Sequence, residues 1–247
     1  MGARPVSSDA ALAADLAEAA GRVLLDLYAS GLTGAELGAA ADQAANRLLI
    51  ERLASKRPDD GVLSEESQDT EERLSKSRVW IIDPLDGTRE YREVRVDWAV
   101  HVALAVDGVA SHGAVALPAL DRVLRSDRPG PVPAHDGPPR LVVSRTRPPA
   151  QALAVADALG CELVEMGSAG AKAMAVVLGE ADIYLHAGGQ YEWDNCAPVA
   201  VAQAHGLHCS RIDGSALRYN NPDPYLPDVL ICRPEWAERV LGAVAAL

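Results

Sequence analysis

Trp80-Ile81-Ile82-Asp83-Pro84-Leu85-Asp86-Gly87-Thr88-Arg89-Glu90-Tyr91 is the stretch that decides the reading of this chain. An apolar run ends in two carboxylates, and a Gly-Thr pair with a charged segment follows at once. That order predicts a buried strand delivering Asp83 and Asp86 to its carboxyl end, then a helix start. Pro84 restricts the backbone between the two acids and removes an amide donor. Gly87 permits close backbone approach, and the Thr88 amide falls where helix starts bind anions. Two rigidly placed Asp side chains suit a hard cation such as Mg²⁺, which takes carboxylate and phosphate oxygens together. The segment fits a capped strand-to-helix turn with solvated acids as well.

Working outward, Ser64-Glu65-Glu66-Ser67 follows a short apolar entry, as Asp83 does, so neighbouring strands could aim all these acids at one point. Far downstream, Glu192-Trp193-Asp194 opens an apolar helix. Asp194 fits either an N-cap or a carboxylate aimed at a metal shared with Asp86. Asp42 lies in an Ala-rich helix, where an acid ordinarily faces solvent. Gly167-Ser168-Ala169-Gly170-Ala171-Lys172 looks like a phosphate-cradling turn into a helix, but its glycine spacing and ending are not those of a P-loop. The histidines show no zinc-ligand spacing, and no G-x-S-x-G occurs.

The rest of the chain reads as support. Ser8 or Asp9 caps a helix over 10–28, and a second helix covers about 35–53. Strands at 79–82, 97–106, 109–117 and 122–125, with an Asp107-Gly108 hairpin turn, predict an antiparallel sheet backed by the helical pair. Residues 127–139 are rich in Pro and Gly and read as a linker. Beyond them strands at 140–144, 161–166 and 181–186 alternate with helices at 150–159, 169–178 and 194–205, an α/β layer with at least partly parallel strands. Residues 210–227 read as turns, and a last helix covers about 234–244. The expected division is 1–137, with the helical pair, the sheet and most acids, and 138–247, completing the site.

A length of 247 residues allows one large domain or two small ones with real cores. Phe is absent, so the core must rest on Ala, Val, Leu and the four Trp. A net charge of −12 argues against a nucleic acid polymer as partner, which would need a basic face. It does not exclude a small phosphate in one pocket, where bound cations reverse the local field. No apolar run reaches the roughly 18 residues of a membrane helix. The four cysteines form no C-x-x-C pair and the N-terminus shows no leader pattern, so a cytoplasmic protein is expected.

Taken together, Glu65-Glu66, Asp83-Pro84-Leu85-Asp86-Gly87-Thr88 and Trp193-Asp194 resemble, in order, the marks of the Mg²⁺-dependent, Li⁺-sensitive inositol monophosphatase superfamily. Arg89-Glu90-Tyr91, Gly167-Ser168 with Lys172, and Asp182-Ile183-Tyr184 are similar to its CysQ-type 3'-phosphoadenosine 5'-phosphate phosphatase branch. Leu185-His186 stands where that branch often has an Arg after the Tyr, and Leu32-Thr33-Gly34 replaces its usual basic-acidic loop. The resemblance implies a layered α-β-α-β-α sandwich and two or three Mg²⁺ ions held by Glu65, Asp83, the Leu85 carbonyl, Asp86 and Asp194. It implies catalytic roles for Asp42, Glu65 and Thr88, with Asp42 pairing with the Thr88 hydroxyl. Substrate contacts would come from Glu65, Leu85, Asp86, Gly87, Thr88, Arg89, Ser168, Lys172 and Asp194. The implied activity is hydrolysis of the 3'-phosphate of 3'-phosphoadenosine 5'-phosphate in sulfur metabolism, with the sulfated analogue as a second substrate. The alternatives are an inositol 1-phosphate or fructose 1,6-bisphosphate phosphatase, broad specificity, or an idle binding module. A homodimer is common in the superfamily.

Overall fold

The computed structural model describes residues 8–247; the expectation of no leader rests partly on residues 1–7, which lie outside the described residues. The chain opens with the helical pair α1 (Asp9–Tyr28) and α2 (Gly34–Lys56). Ser8 provides the cap, its Oγ accepting from the Ala11 amide at 3.2 Å. Asp9 is instead used by Arg57 and Arg78 at 2.8 and 3.1 Å.

The first sheet runs in the order β1 (Gly61–Ser64), β2 (Arg78–Asp86), β3 (Ala99–Val106), β4 (Val109–Leu117) and β5 (Arg122–Arg125). It is mixed rather than antiparallel as expected, because β1 pairs with β2 in parallel. Parallel pairing brings the carboxyl ends of both strands, and so Glu65 and Asp83, to the same edge.

A short helix α3 (Thr88–Arg92) follows β2. The second half comprises β6 (Arg140–Ser144), α4 (Ala150–Leu159), β7 (Glu162–Met166), α5 (Ala169–Val177), β8 (Ile183–Tyr191), α6 (Glu192–Ala204), β9 (His208–Ser210), β10 (Tyr225–Cys232) and α7 (Pro234–Ala245). Its sheet order is β7-β6-β8-β10-β9, with β6, β7 and β8 parallel and β10 antiparallel to both neighbours. Neither β9 nor β10 is legible as a strand beforehand. β10 starts inside the segment read as turns, and a bulge between Leu226 and Asp228 breaks its alternation. β8 extends past the expected end through Gly188 and Gly189, whose φ of 118° and 93° favours glycine.

Side-chain alternation along the strands builds the layers. Trp80, Ile82, Val100, Val102 and Leu104 face α1 and α2. Val79, Ile81, Ala99, Ala103 and Ala105 face the other way, onto α5 and α6, which also carry Tyr184, Val229 and Ile231 of the second sheet. Leu185, Leu230 and Cys232 pack outward under α4 and α7. The order is therefore helices, sheet, helices, sheet, helices, as expected. Small residues set the close central spacing: a Cβ at Gly113 would lie 2.9 Å from Ala200 Cβ.

Buried Asp182 clamps the second sheet, accepting from Arg140 Nε at 3.0 Å and Arg233 Nε at 2.7 Å. Removing it strands two guanidinium groups, and Asp182→Ala is expected to cost about 3–5 kcal/mol of stability. Calorimetric melting would show it, with the activity of the remaining folded protein intact.

Candidate active site

β2 leaves its ladder at the end, with a register shift between Asp83 and Asp86 against β3. Pro84, lacking an N–H, sits in that irregularity. The Leu85 amide bonds Asp83 Oδ1 at 3.0 Å, closing a local turn on the first acid. Gly87 then takes a φ of 88° and starts α3. Tyr91 anchors α3 from behind, its hydroxyl on the Leu24 carbonyl at 2.6 Å and its ring stacked on Tyr28 at 4.5 Å. Asp194 arrives from the first turn of α6, its Oδ2 accepting from the Tyr191 amide at 2.6 Å. One ligand oxygen each of Asp83, Asp86 and Asp194 lies within 4.8 Å of the other two. Asp83 and Asp86 are 1% and 7% exposed.

Glu65 stands outside that triad but touches it. The residue is exposed as a whole, yet its carboxylate is turned inward to hydrogen-bonding contact with Asp83. Burial, then the carboxylates of Asp194, Asp86 and Glu66, push Glu65 up to about 7 against that contact. Asp83 is raised well above the carboxylate range by burial, then by Glu65, Asp86 and Asp194. Asp194 is pushed up to about 6 by burial and then Asp86. Asp86 goes the other way: burial raises it, but His101, Ser168 and Lys172 outweigh burial and hold it well below the usual range.

This donor set fits a divalent cation. Four carboxylates crowd one point, three of them raised by burial first and by one another's charge second, and all ligand atoms are oxygens, the donors a hard ion takes. Glu65, Asp83, Asp86 and Asp194 would hold it, with the Leu85 carbonyl beside them.

The other expected residues divide. Gly87, Arg89, Ser168 and Lys172 line a cavity of about 440 Å³ that opens from Asp86 and Asp194. Thr88 and Asp42 are not joined: the Thr88 hydroxyl donates to the Leu85 carbonyl at 3.2 Å. Asp42 is pushed up to about 6 by burial, then by Glu66, with Arg92 opposing. The Gly167–Lys172 turn cradles an anion, but that anion is a side chain. Asp86 accepts from Ser168 Oγ at 2.5 Å and from the Ala169 and Gly170 amides at 3.1 and 2.6 Å. Lys172 Nζ is drawn back onto the Gly167 and Ser168 carbonyls at 3.0 and 2.5 Å. Glu90 is not free either, since Arg145 bridges it and Glu93 at 2.8 and 2.6 Å.

Three further residues enter from tertiary contact. Arg147 and His186 line the cavity. His101 is fully buried, with Nε2 3.2 Å from Asp86 Oδ2 and Nδ1 2.9 Å from the Trp193 carbonyl. Two acceptors flank the ring, and although burial disfavours its charge, Asp86 raises its pKa. The only linear hint of His101 is a polar residue in a strand face of alanines.

A family model for the inositol monophosphatase family matches residues 6–131 and 139–246, nearly the whole chain. The chain belongs to the inositol monophosphatase family. This family member is a phosphatase acting on a small-molecule phosphate. A Mycobacterium leprae (strain TN) protein named 3'-phosphoadenosine 5'-phosphate phosphatase is 52% identical over 253 aligned residues, covering 96% of this chain and 93% of that protein. Escherichia coli (strain K12) 3'(2'),5'-bisphosphate nucleotidase CysQ is 31% identical over 200 residues, 76% of this chain and 81% of that protein. Two solved folds are similar at TM-score 0.78. An inositol monophosphatase from Anabaena (Nostoc) sp. PCC 7120 is 23% identical, with 96% of this chain and 95% of that chain covered. CysQ from Bacteroides thetaiotaomicron is 24% identical, with 91% and 97% covered. Among the described residues of this family member, no helix is long and apolar enough to cross a membrane.

Proposed function

We propose that this phosphatase hydrolyses the 3'-phosphate of 3'-phosphoadenosine 5'-phosphate, giving AMP and phosphate, in a Mg²⁺-dependent reaction of sulfur metabolism. The sulfated analogue would be a second substrate, giving adenosine 5'-phosphosulfate. The names of the similar proteins from M. leprae and E. coli support this. The carrying observation is the cavity itself. Away from the triad it is lined by Arg89 and Arg147, neither paired with a carboxylate among the described residues. Cations beyond the reacting phosphate suit a substrate with a second anionic group.

Glu65, Asp83, Asp86, Asp194 and the Leu85 carbonyl would hold Mg²⁺, which when bound supplies Lewis-acid charge stabilisation and a more acidic water. The chain's own groups do the rest in this reading. Glu65 accepts a proton from the attacking water. Thr88 orients that water, and the Gly87 and Thr88 amides bind the reacting phosphate, leaving Arg89 for the rest of the nucleotide. Asp42 on α2 is not joined to Thr88, whose hydroxyl donates to the Leu85 carbonyl, so it takes no step in this reading. Water adds to phosphorus, the P–O3' bond breaks, and the leaving oxygen takes a proton from solvent. The division at 137/138 belongs to the same proposal, with Asp194 supplied from the second unit.

Phosphate release from 3'-phosphoadenosine 5'-phosphate, inositol 1-phosphate and fructose 1,6-bisphosphate, with and without Mg²⁺ and Li⁺, tests the reading. The bisphosphorylated nucleotide should be preferred and Li⁺ should inhibit. Preference for inositol 1-phosphate would sink the nucleotide assignment. Arg147→Ala should raise KM for the nucleotide by about 10- to 100-fold, the worth of one charge-assisted hydrogen bond. The effect on inositol 1-phosphate should be much smaller.

A further inference from the structure

The inner face of β3 reads Ala99, His101, Ala103, Ala105, and the imidazole is 0% exposed. His101 stands directly across the ladder from Asp83, so both side chains project to the same face. A carbonyl only accepts, so Nδ1, 2.9 Å from Trp193 O, must carry the hydrogen. Trp193 directly precedes Asp194. The other end of the ring, Nε2, has no regular hydrogen-bond partner and lies 3.2 Å from Asp86 Oδ2. The first turn of α5 is shaped around that contact. A Cβ on Gly170 would lie 2.0 Å from Nε2, and the Gly170 amide donates to the same Asp86 Oδ2 at 2.6 Å. One ring therefore touches the backbone carrying one acid of the triad and the carboxylate of another.

We propose that His101 is a positioning residue that braces Asp86 against the first turn of α6, holding the Asp86 and Asp194 carboxylates at the spacing a divalent cation needs. This rests on the reading of the triad as a Mg²⁺ site. Groups that orient metal ligands from behind commonly change affinity 10- to 100-fold when altered. His101 acts through Asp86 and α6, not on the substrate.

Two substitutions each release one end of the brace. His101→Asn keeps a donor near Nδ1 and loses the reach to Asp86. His101→Gln keeps the reach and loses the tie to Trp193. Calorimetric Mg²⁺ titration of the substrate-free proteins should show both weakened by about 10- to 100-fold. At saturating Mg²⁺, kcat should largely return and KM for the nucleotide should stay unchanged. A pair of changes separates bracing from packing. His101→Ala leaves a void that a second change, Gly170→Ala, refills. The double variant should regain melting temperature without regaining Mg²⁺ affinity.

Wild-type affinity in His101→Asn and His101→Gln would overturn the proposal, as would a double variant that recovers affinity along with stability. A wild-type chain that binds no Mg²⁺ would overturn the reading of the triad, and this proposal with it.

Discussion

Asp83→Asn is expected to lower Mg²⁺-dependent phosphatase activity by about a thousandfold or more while raising the melting temperature of the metal-free protein. The first effect follows from removing the central charge of a site whose work is charge stabilisation. The second follows from the neighbours. Asp83 is fully buried among Glu65, Asp86 and Asp194, and all three carboxylates raise its pKa. An Asn retains an oxygen for the Leu85 amide, now bound at 3.0 Å, and turns an amide donor toward Glu65. A contact that exists only while the two acids share a proton becomes an amide–carboxylate hydrogen bond that needs none. A gain of one or two kcal/mol would appear as a rise of roughly 2–8 °C in a protein of this size. Asp86→Asn should behave differently, because the hydrogen-bond partners of Asp86 are donors: Ser168, Ala169 and Gly170. An amide NH₂ there faces N–H and O–H groups, so both activity and melting temperature should fall. Melting curves in chelator and phosphate release in Mg²⁺ decide both. An Asp83→Asn protein that melts lower than wild type would refute the crowded-carboxylate account.

The stability of the metal-free protein is expected to fall as pH rises from about 4 to about 7, and saturating Mg²⁺ should remove most of that slope. The sign comes from proton counting. Unfolded Asp and Glu titrate near 4, whereas folded Glu65 is pushed up to about 7, Asp194 and Asp42 to about 6, and Asp83 well above the ordinary range. Between those values the folded chain holds more protons than the unfolded one, so stability declines with pH. The contribution of these groups is fully present below the unfolded value and lost as pH rises through the folded ones. Asp86 has the opposite sign, its contribution present above about 4 and lost only in stronger acid. A cation replaces the site's protons, so Mg²⁺ affinity should climb across the same window and binding should release protons. Melting temperatures from pH 4 to 8, with chelator and with Mg²⁺, test this. Coincident curves would show that these acids hold no cation.

Legibility differed between levels of structure. The helical pair, the hairpin and the alternating second half are local patterns of apolar periodicity and turn residues, and they could be read along the chain. β10 could not, because a strand with a bulge at Leu226/Asp228 and a Pro beside it loses its alternation. The parallel pairing of β1 with β2 could not either, since register between distant strands is set by the layers packed on both faces. Within the site, Asp83 and Asp86 share one strand end, so their nearness is encoded in a few residues. Arg89, Glu90 and Tyr91 look alike as a motif, yet they differ in what they touch. Arg89 and Glu90 both line the cavity, but Glu90 is held by Arg145, and Tyr91 packs on Tyr28.

By itself the sequence determined the chemistry available: a strand that ends in two acids at a Gly-Thr turn, two further acidic motifs in order, and a net charge of −12. Those are properties of residue type and short spacing. Only the tertiary structure decided what each group faces. It turned the Ala169 and Gly170 amides onto Asp86, drew Lys172 back to carbonyls, and set His101 between Asp86 and the Trp193 carbonyl. The physical reason is that a hydrogen bond or a charge interaction depends on distance and angle between groups far apart in the chain. Packing of α5 and α6 between two sheets sets those distances.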